Sequence, residues 1–363
     1  MVPVRCLLVV WKRGVLVKKI IFIVLVFFTA AGFAEEKATD HAPIGVIGDH
    51  FHKKGEYMVS VRHFKMFMGG NRNGTKDLSD AEIIQLPNPY QMGSMPAKLS
   101  VVPQDMDMDM TMFGMMYAPS DSVTLMGMAM YMGKDMKTNT YKGAMDRAYL
   151  GTSNTSSSDL SDISISALIK LLKTDTSRWH VELGLQQSIG KTDAKDTMLN
   201  PMNERTSMLL PYGMQVSDKS TTLGSALTGV ENRGEWVYGT QLRLKNHINK
   251  DVWHFGDSIT ATGWLQRGFS VNTAFSFRTT YRAQNDITGR NTSIAAPVQT
   301  ANPQNYGGKI AELGIGINQL LKVIPGDYSD RIGLEFVVPV YQDLNGPQMK
   351  SKWAVTIGYQ KAF

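Results

Sequence analysis

The chain has 363 residues, of which 43% are hydrophobic and 19% charged, with a formal net charge of +6 and a single cysteine. Such a length fits two soluble domains or one large β-architecture and selects neither. Arg5, Lys12, Arg13, Lys18 and Lys19 lie in the first 34 residues with no acid among them, and the remainder carries 33 basic against 32 acidic residues, a balance that excludes a charge-based case for a nucleic-acid partner.

Residues 1–34 read as a cleaved secretory signal peptide: a basic leader, an apolar run from Ile20 to Ala31 broken only by Thr29, and Gly32-Phe33-Ala34 at the cleavage positions. The run is shorter than the roughly 20 residues a spanning helix needs. Cys6 lies in this leader, so the mature chain has no disulfide framework. Beyond residue 34 no apolar stretch approaches a spanning helix. A place in a membrane would therefore require a closed β-barrel, the other structure that satisfies every backbone group in lipid.

Residues 35–56 are expected as a periplasmic N-terminal segment. His41, His50 and His52 lie in it, as candidate metal ligands or as hydrogen-bonded histidines at a barrel mouth. Residues 57–363 are expected as an all-β, transmembrane, antiparallel up-and-down barrel of about twelve strands, over 57–68, 105–118, 121–135, 158–172, 177–190, 220–231, 235–247, 255–266, 269–285, 306–322, 330–342 and 351–363.

The first of these places Met58, Ser60, Arg62, Phe64, Met66 and Met68 on one side, with Arg62 a candidate pore-lining residue. In the second, Met106, Met108, Met110 and Met112 alternate with Asp105, Asp107, Asp109 and Thr111. The expectation is carboxylates toward the lumen, biasing a pore to cations, and thioethers toward lipid. The aspartates lie about 6.8 Å apart along a strand, too far to share one ion without other ligands. In the third, Thr124, Met126, Met128, Met130, Met132 and Lys134 share a face whose polar ends suggest that it points inward, making Lys134 a second pore-lining candidate. An inward row of thioethers, joined by His41, His50 and His52, would suit Cu(I) or another soft metal. Of 23 methionines, 17 fall between Met58 and Met145.

The connections alternate. Tight joins fall near Pro119-Ser120-Asp121, Asp175-Thr176, Asn232-Arg233-Gly234, Arg267-Gly268 and Gly326-Asp327; longer ones span 69–104, 136–157, 191–219, 248–254, 286–305 and 343–350. Short inner turns and long outer loops are the rhythm of an outer-membrane barrel and not of a β-sandwich. Gly314-Ile315-Gly316 lacks the third glycine and strand-to-helix setting of a dinucleotide site. In 330–342, Ile332, Leu334, Phe336, Val338 and Val340 oppose Gly333, Glu335 and Val337, with Pro339 expected near a rim. The last strand carries Trp353, Val355, Ile357, Tyr359 and terminal Phe363 on one face. An alternating strand that ends the chain in an aromatic residue resembles the signal by which the barrel-assembly machinery recognises its clients. Tyr212, Trp236, Tyr238, Trp253, Trp264, Tyr281, Tyr341 and Trp353 are expected in interfacial girdles.

The stretches His41–Val46, Gly48-Asp49-His50, His52–Glu56, Met115–Ser120, Leu210–Gln215 and Pro339–Gln348 together resemble a bacterial outer-membrane transporter-like family, grouped with the outer-membrane proteins of meta-pathway phenol degradation. The resemblance implies an outer-membrane barrel and assigns no substrate or binding residue. Three functions are open, in this order: a passive or weakly selective pore for small solutes, including small organic or aromatic compounds; binding or transport of copper or another soft metal through a Met/His-rich lumen; and a membrane enzyme. No Gly-x-Ser-x-Gly elbow or acid–base cluster supports the third. No catalytic residue or cofactor is expected, and the partners expected are outer-membrane lipid, the assembly machinery and a small solute.

Overall fold

The computed structural model describes residues 37–363 except 94, 145, 250, 251 and 325–329. The expected signal peptide and the turn at Gly326-Asp327 lie outside the described residues. Eleven strands follow one another around a closed antiparallel wall: β1 (Tyr57–Gly74), β2 (Val101–Ser120), β3 (Val123–Tyr141), β4 (Tyr149–Lys173), β5 (Ser177–Ser188), β6 (Thr221–Arg233), β7 (Trp236–His247), β8 (Ser258–Gly268), β9 (Thr273–Gln284), β10 (Gly308–Leu321) and β11 (Asp330–Ala362). β11 is 33 residues long and serves as two staves. Its first arm pairs with β10 and its second with β1. Between the arms the chain reverses at Asn345-Gly346, where Gly346 has φ 68°. The reversal brings Tyr359 Oη to Asp330 Oδ1 at 2.5 Å and Gln342 Nε2 to the Ser351 carbonyl at 3.0 Å. The barrel thus has about twelve staves, as expected, and closes where β1 meets the C-terminal arm.

Strand pairing extends further than polarity alternation suggests. The Ser/Thr/Asn-rich stretch expected as an outer loop over 136–157 is mostly wall, and only 142–148 connects β3 to β4. A strand of 25 residues such as β4 has a contour of about 80 Å, far more than an apolar band of about 25 Å requires. Above the band both faces of the wall meet water, so pairing persists without apolar alternation. Pro339 does not mark a rim: it sits at the register shift between Ala311 and Glu312, where the irregular pairing absorbs its missing donor.

The outward face is an apolar belt, with Val59, Val61, Phe113, Ile165, Leu183, Leu227, Phe277, Ile315, Leu334 and Ile357 all exposed. A closed wall with such a belt is the architecture of a transmembrane barrel. Trp236, Tyr238, Tyr281 and Tyr341 are exposed on it, whereas Tyr212, Trp253 and Trp264 are buried and belong to no girdle.

The segment expected in the periplasm is instead inside the barrel. Ala38, His41, Ala42, Ile44, Val46, Asp49, His50 and His52 are buried against inward side chains from around the wall. It enters beside Val271, whose carbonyl accepts from the Ala38 amide at 2.8 Å, and leaves to begin β1. Hydrogen bonds to the wall outnumber apolar anchors, a property its polar sequence does not reveal.

Candidate functional site

Residues 37–56 form a plug across the lumen at the end of the short turns. A turn, with the Val46 amide 2.9 Å from the Pro43 carbonyl, sends the chain back on itself, and Asp49 Oδ2 accepts from the Ala42 amide at 2.8 Å to clasp the two arms. Inward arginines then hold the plug by its carbonyls. Arg62 Nη1 donates to Ile44 and Val46 at 3.0 and 2.9 Å, Arg178 to Asp40 at 2.6 Å, Arg243 to Ile47 at 3.0 Å, and Arg331 to Ala42. Gln241 Nε2 and Gln266 Nε2 add bonds to Ile47 and His41. Two ion pairs brace the arginines, Arg278–Glu335 at 2.7 Å and Arg243–Glu182 at 2.6 Å.

Glycine permits this fit at the plug tip. A Cβ on Gly45 would lie 2.2 Å from Glu335 Oε2, and Gly48 adopts φ +64° against Glu182. These contacts leave no room for a side chain where the plug meets the ion pairs.

The plug gathers the three histidines singled out in the sequence. Ligand atoms of His41, Asp49 and His50 lie within 4.8 Å of one another. The His50 ring is 4.7 Å from that of His41 and 4.8 Å from that of His52, centroid to centroid. His50 Nδ1 meets Asp49 Oδ1 at 2.9 Å and His52 Nδ1 meets Glu56 Oε2 at 3.3 Å, while Nε2 of both rings is buried without a hydrogen-bond partner. Burial, followed by the Arg331 charge, pushes His41 down to about 3. Burial likewise pushes His50 down to about 3, against the pull of Asp49. At neutral pH both rings are uncharged.

The register of β1, β2 and β3 decides which way the methionines point. Arg62, which faces the plug, lies opposite Met112; Phe64 lies opposite Met110, and Met66 opposite Met108. Met112, Met110 and Met108 in turn oppose Met130, Met132 and Lys134. Cross-strand partners share a face, so the lumenal side of three adjacent strands is a wall of thioethers with Phe64 among them. The expected inward direction of Met126, Met128, Met130 and Met132 agrees with this register. The expectation for β2 is reversed: its methionines face the lumen, and Asp105, Asp107 and Asp109 face outward and line no pore. There Asp107 and Asp109 pair with Lys65 at 3.1 and 3.3 Å, and Asp109 lies 3.4 Å from His63. Alternation alone cannot tell inside from outside when one face is charged and the other methionine, because above the hydrocarbon band charge on the exterior costs nothing.

Lys134 is inward and buried, and it does not line an open passage. Its Nζ donates to the carbonyls of Gly213 and Gln215 at 2.9 and 2.7 Å. Those residues belong to the long connection 189–220, which dips into the other end of the lumen. Leu210, Tyr212 and Met214 are buried there with Trp253, Ile294, Val298 and Met106, and the Tyr306 hydroxyl accepts from the Gly213 amide at 2.8 Å. Beside this lid remains a cavity of about 230 Å³, lined by Met132, Lys134, Asp162 and Lys245 of the wall and by Val216 and Phe255 of the connections. Arg62 is likewise inward and spent on the plug. Met126 and Met128 flank the plug tip beside Ile47, Gly48 and Asp49.

Sequence reasoning missed Arg178, Arg243, Arg278 and Arg331, together with Glu182 and Glu335. The available signal was their parity: each is inward on a strand whose alternate residues are apolar, as Leu334, Glu335 and Phe336 show.

No family model and no curated protein matches the chain. Among solved structures, an outer-membrane channel of Pseudomonas putida F1 is similar with a TM-score of 0.54 at 9% identity, over 88% of this chain and 100% of that one. A Pseudomonas aeruginosa FadL homologue gives 0.40 at 8% identity over 85% and 90% of the two chains. The P. putida toluene transporter TodX gives 0.42 at 8% over 86% and 91%. At these identities the likeness is one of fold, and the first structure alone is near enough to bear on it. The closed wall and its apolar belt are those of a porin-like barrel of the bacterial outer membrane.

Proposed function

We propose that the chain is a gated outer-membrane channel for small solutes. The observation that carries this is the filling of both ends of the lumen by segments that are not part of the wall, with a cavity beside the lid. A plug held largely by side-chain hydrogen bonds to its carbonyls is separable from the barrel in a way that a strand is not, since removing it breaks no ladder. The methionine wall supports small organic or aromatic compounds as the solutes: thioethers adapt to irregular apolar shapes and make favourable contacts with ring edges. The C-terminal arm Trp353–Phe363 is proposed as the surface read by the assembly machinery.

A second reading is passage of Cu(I), favoured by the density of inward sulfur on β1, β2 and β3. Planar-bilayer recording tests the first. Discrete conductance steps, more frequent once residues 37–52 are deleted, are the expected result; a barrel that stays silent in both forms refutes the channel. Uptake of phenol against Cu(I) by outer-membrane vesicles then separates the two solute classes.

A further inference from the structure

We propose that the plug carries a binding site for a divalent transition-metal cation, built from His41, His50 and His52, and that the metal staples the plug in place; the stapling role rests on the channel reading above. The three imidazoles come from both arms of the plug: His41 precedes the Pro43–Val46 turn and His50 and His52 follow it. Their rings stand 4.7 and 4.8 Å apart in an edge-on chain; ligand atoms of His41, His50 and Asp49 lie within 4.8 Å of one another, and His52 adjoins that group through His50.

Two of the rings, independently of that clustering, keep an unused buried nitrogen. His50 and His52 each spend Nδ1 on a carboxylate, Asp49 and Glu56 respectively, and each keeps a buried Nε2 with no partner. A carboxylate behind one ring nitrogen fixes the tautomer and orients the other toward a metal, the arrangement found behind histidine ligands generally. Burying an imidazole lone pair without a partner is costly in a structural cluster, whereas a cation seated beside these rings would give such a lone pair a partner. Arg331 and Arg178 act on His41 with positive charge, and Asp49 and Asp40 act on it with negative charge. Nitrogen donors favour Zn²⁺, Co²⁺, Ni²⁺ or Cu²⁺ over the oxygen-seeking Ca²⁺ and Mg²⁺. Since all three ligands sit on one loop, the cation would close a ring between its arms and oppose the unfolding that plug release requires.

The folded barrel, stripped with chelator and freed of it, is titrated with Zn²⁺ by calorimetry and with Co²⁺ by visible absorption. One equivalent is expected, with affinity falling at least tenfold in His50→Ala and His52→Ala, and about 10–100-fold in Asp49→Asn through loss of the orienting carboxylate. His63→Ala, which removes the outward imidazole on β1, serves as the control that retains binding, and heat-modified gel mobility verifies that each variant is a folded barrel. Absence of binding in the folded wild type, or wild-type affinity in both histidine variants, overturns the site. In bilayers Zn²⁺ lowers the open probability of the wild type reversibly and leaves the His50→Ala channel unaffected; a conducting barrel indifferent to Zn²⁺ overturns the staple. A barrel silent even without residues 37–52 refutes the channel and the stapling role with it, and the titration still decides the site.

Discussion

Arg62 shows how a single inward side chain changes meaning once its partners are known. On the strand it reads as pore-lining charge, yet both of its bonds end on plug carbonyls, Ile44 and Val46. Arg62→Met leaves those carbonyls buried and unpaired, at a cost of about 1–3 kcal/mol. The expected outcome is a larger fraction of open channels and faster thiol labelling of an Ile47→Cys reporter, measured on the same barrel. Gly45→Ala acts by the opposite route: the new Cβ meets Glu335 Oε2, and overpacking of about 1–3 kcal/mol shifts the plug equilibrium the same way, visible as a rise in open probability. Asp105, Asp107 and Asp109 supply the contrasting case. Because they face outward with Lys65 and His63, changing all three to Asn leaves the reversal potential in a salt gradient unaltered; a shift toward anions would return them to the lumen.

At the scale of elements, the plug and the lid differ in how they are held. The plug depends on hydrogen bonds from the wall to its backbone and places few large apolar side chains, such as Ile44 against Gly333 and Gly358. The lid buries an apolar cluster around Tyr212, Trp253, Val298 and Met136, supplemented by Lys134. The plug also sets Ala42 and Val46 against Val230, Val237 and Trp264, and Ala38 against Ala274 and Leu320, but it joins no strand ladder of the wall, and on the channel reading it is proposed as the mobile gate. Deleting residues 37–52 is therefore expected to leave the heat-modifiable barrel band intact and to raise conductance, while Lys134→Ala alone, which spares the apolar cluster, changes it little. Closure of the wall rests on β1 pairing with the second arm of β11, from Met58 opposite Ala362 to Arg72 opposite Gln348. Truncation after residue 347 removes that arm and exposes two strand edges in lipid, and no folded barrel is expected on a gel.

Over the whole molecule the lumen is lopsided. One sector is thioether and aromatic; the other presents Glu182, Arg243, Lys245, Arg278 and Glu335 on β5, β7, β9 and β11. A solute with an apolar face and a polar edge meets complementary surfaces on the two sides, which small phenolic compounds would satisfy. Replacing Met126, Met128, Met130 and Met132 together by Leu keeps volume and apolarity at a cost below about 1.5 kcal/mol per site, so the barrel persists. Loss of Cu(I) uptake with phenol uptake retained would identify sulfur as the working atom; loss of neither would restrict the methionines to lining.

Alternation with period two, turn residues at alternating short and long spacing, and the absence of a spanning helix determined the closed antiparallel wall and its stave number, and the polar ends of the row Met126 to Met132 only suggested its inward direction. These are local properties, written in neighbouring residues and in the side-chain period of a strand. The histidines were legible as a group because they lie close in sequence, as His50-Phe51-His52 does. The direction of Met106 to Met112, the outward place of Asp105, Asp107 and Asp109, and the engagement of Arg62 and Lys134 were decided by register against β1 and β3, which no single strand encodes. The descent of residues 37–56 into the lumen depended on arginines scattered from β1 to β11 converging on one loop. Only closure of the barrel brings positions so distant in sequence within hydrogen-bonding distance.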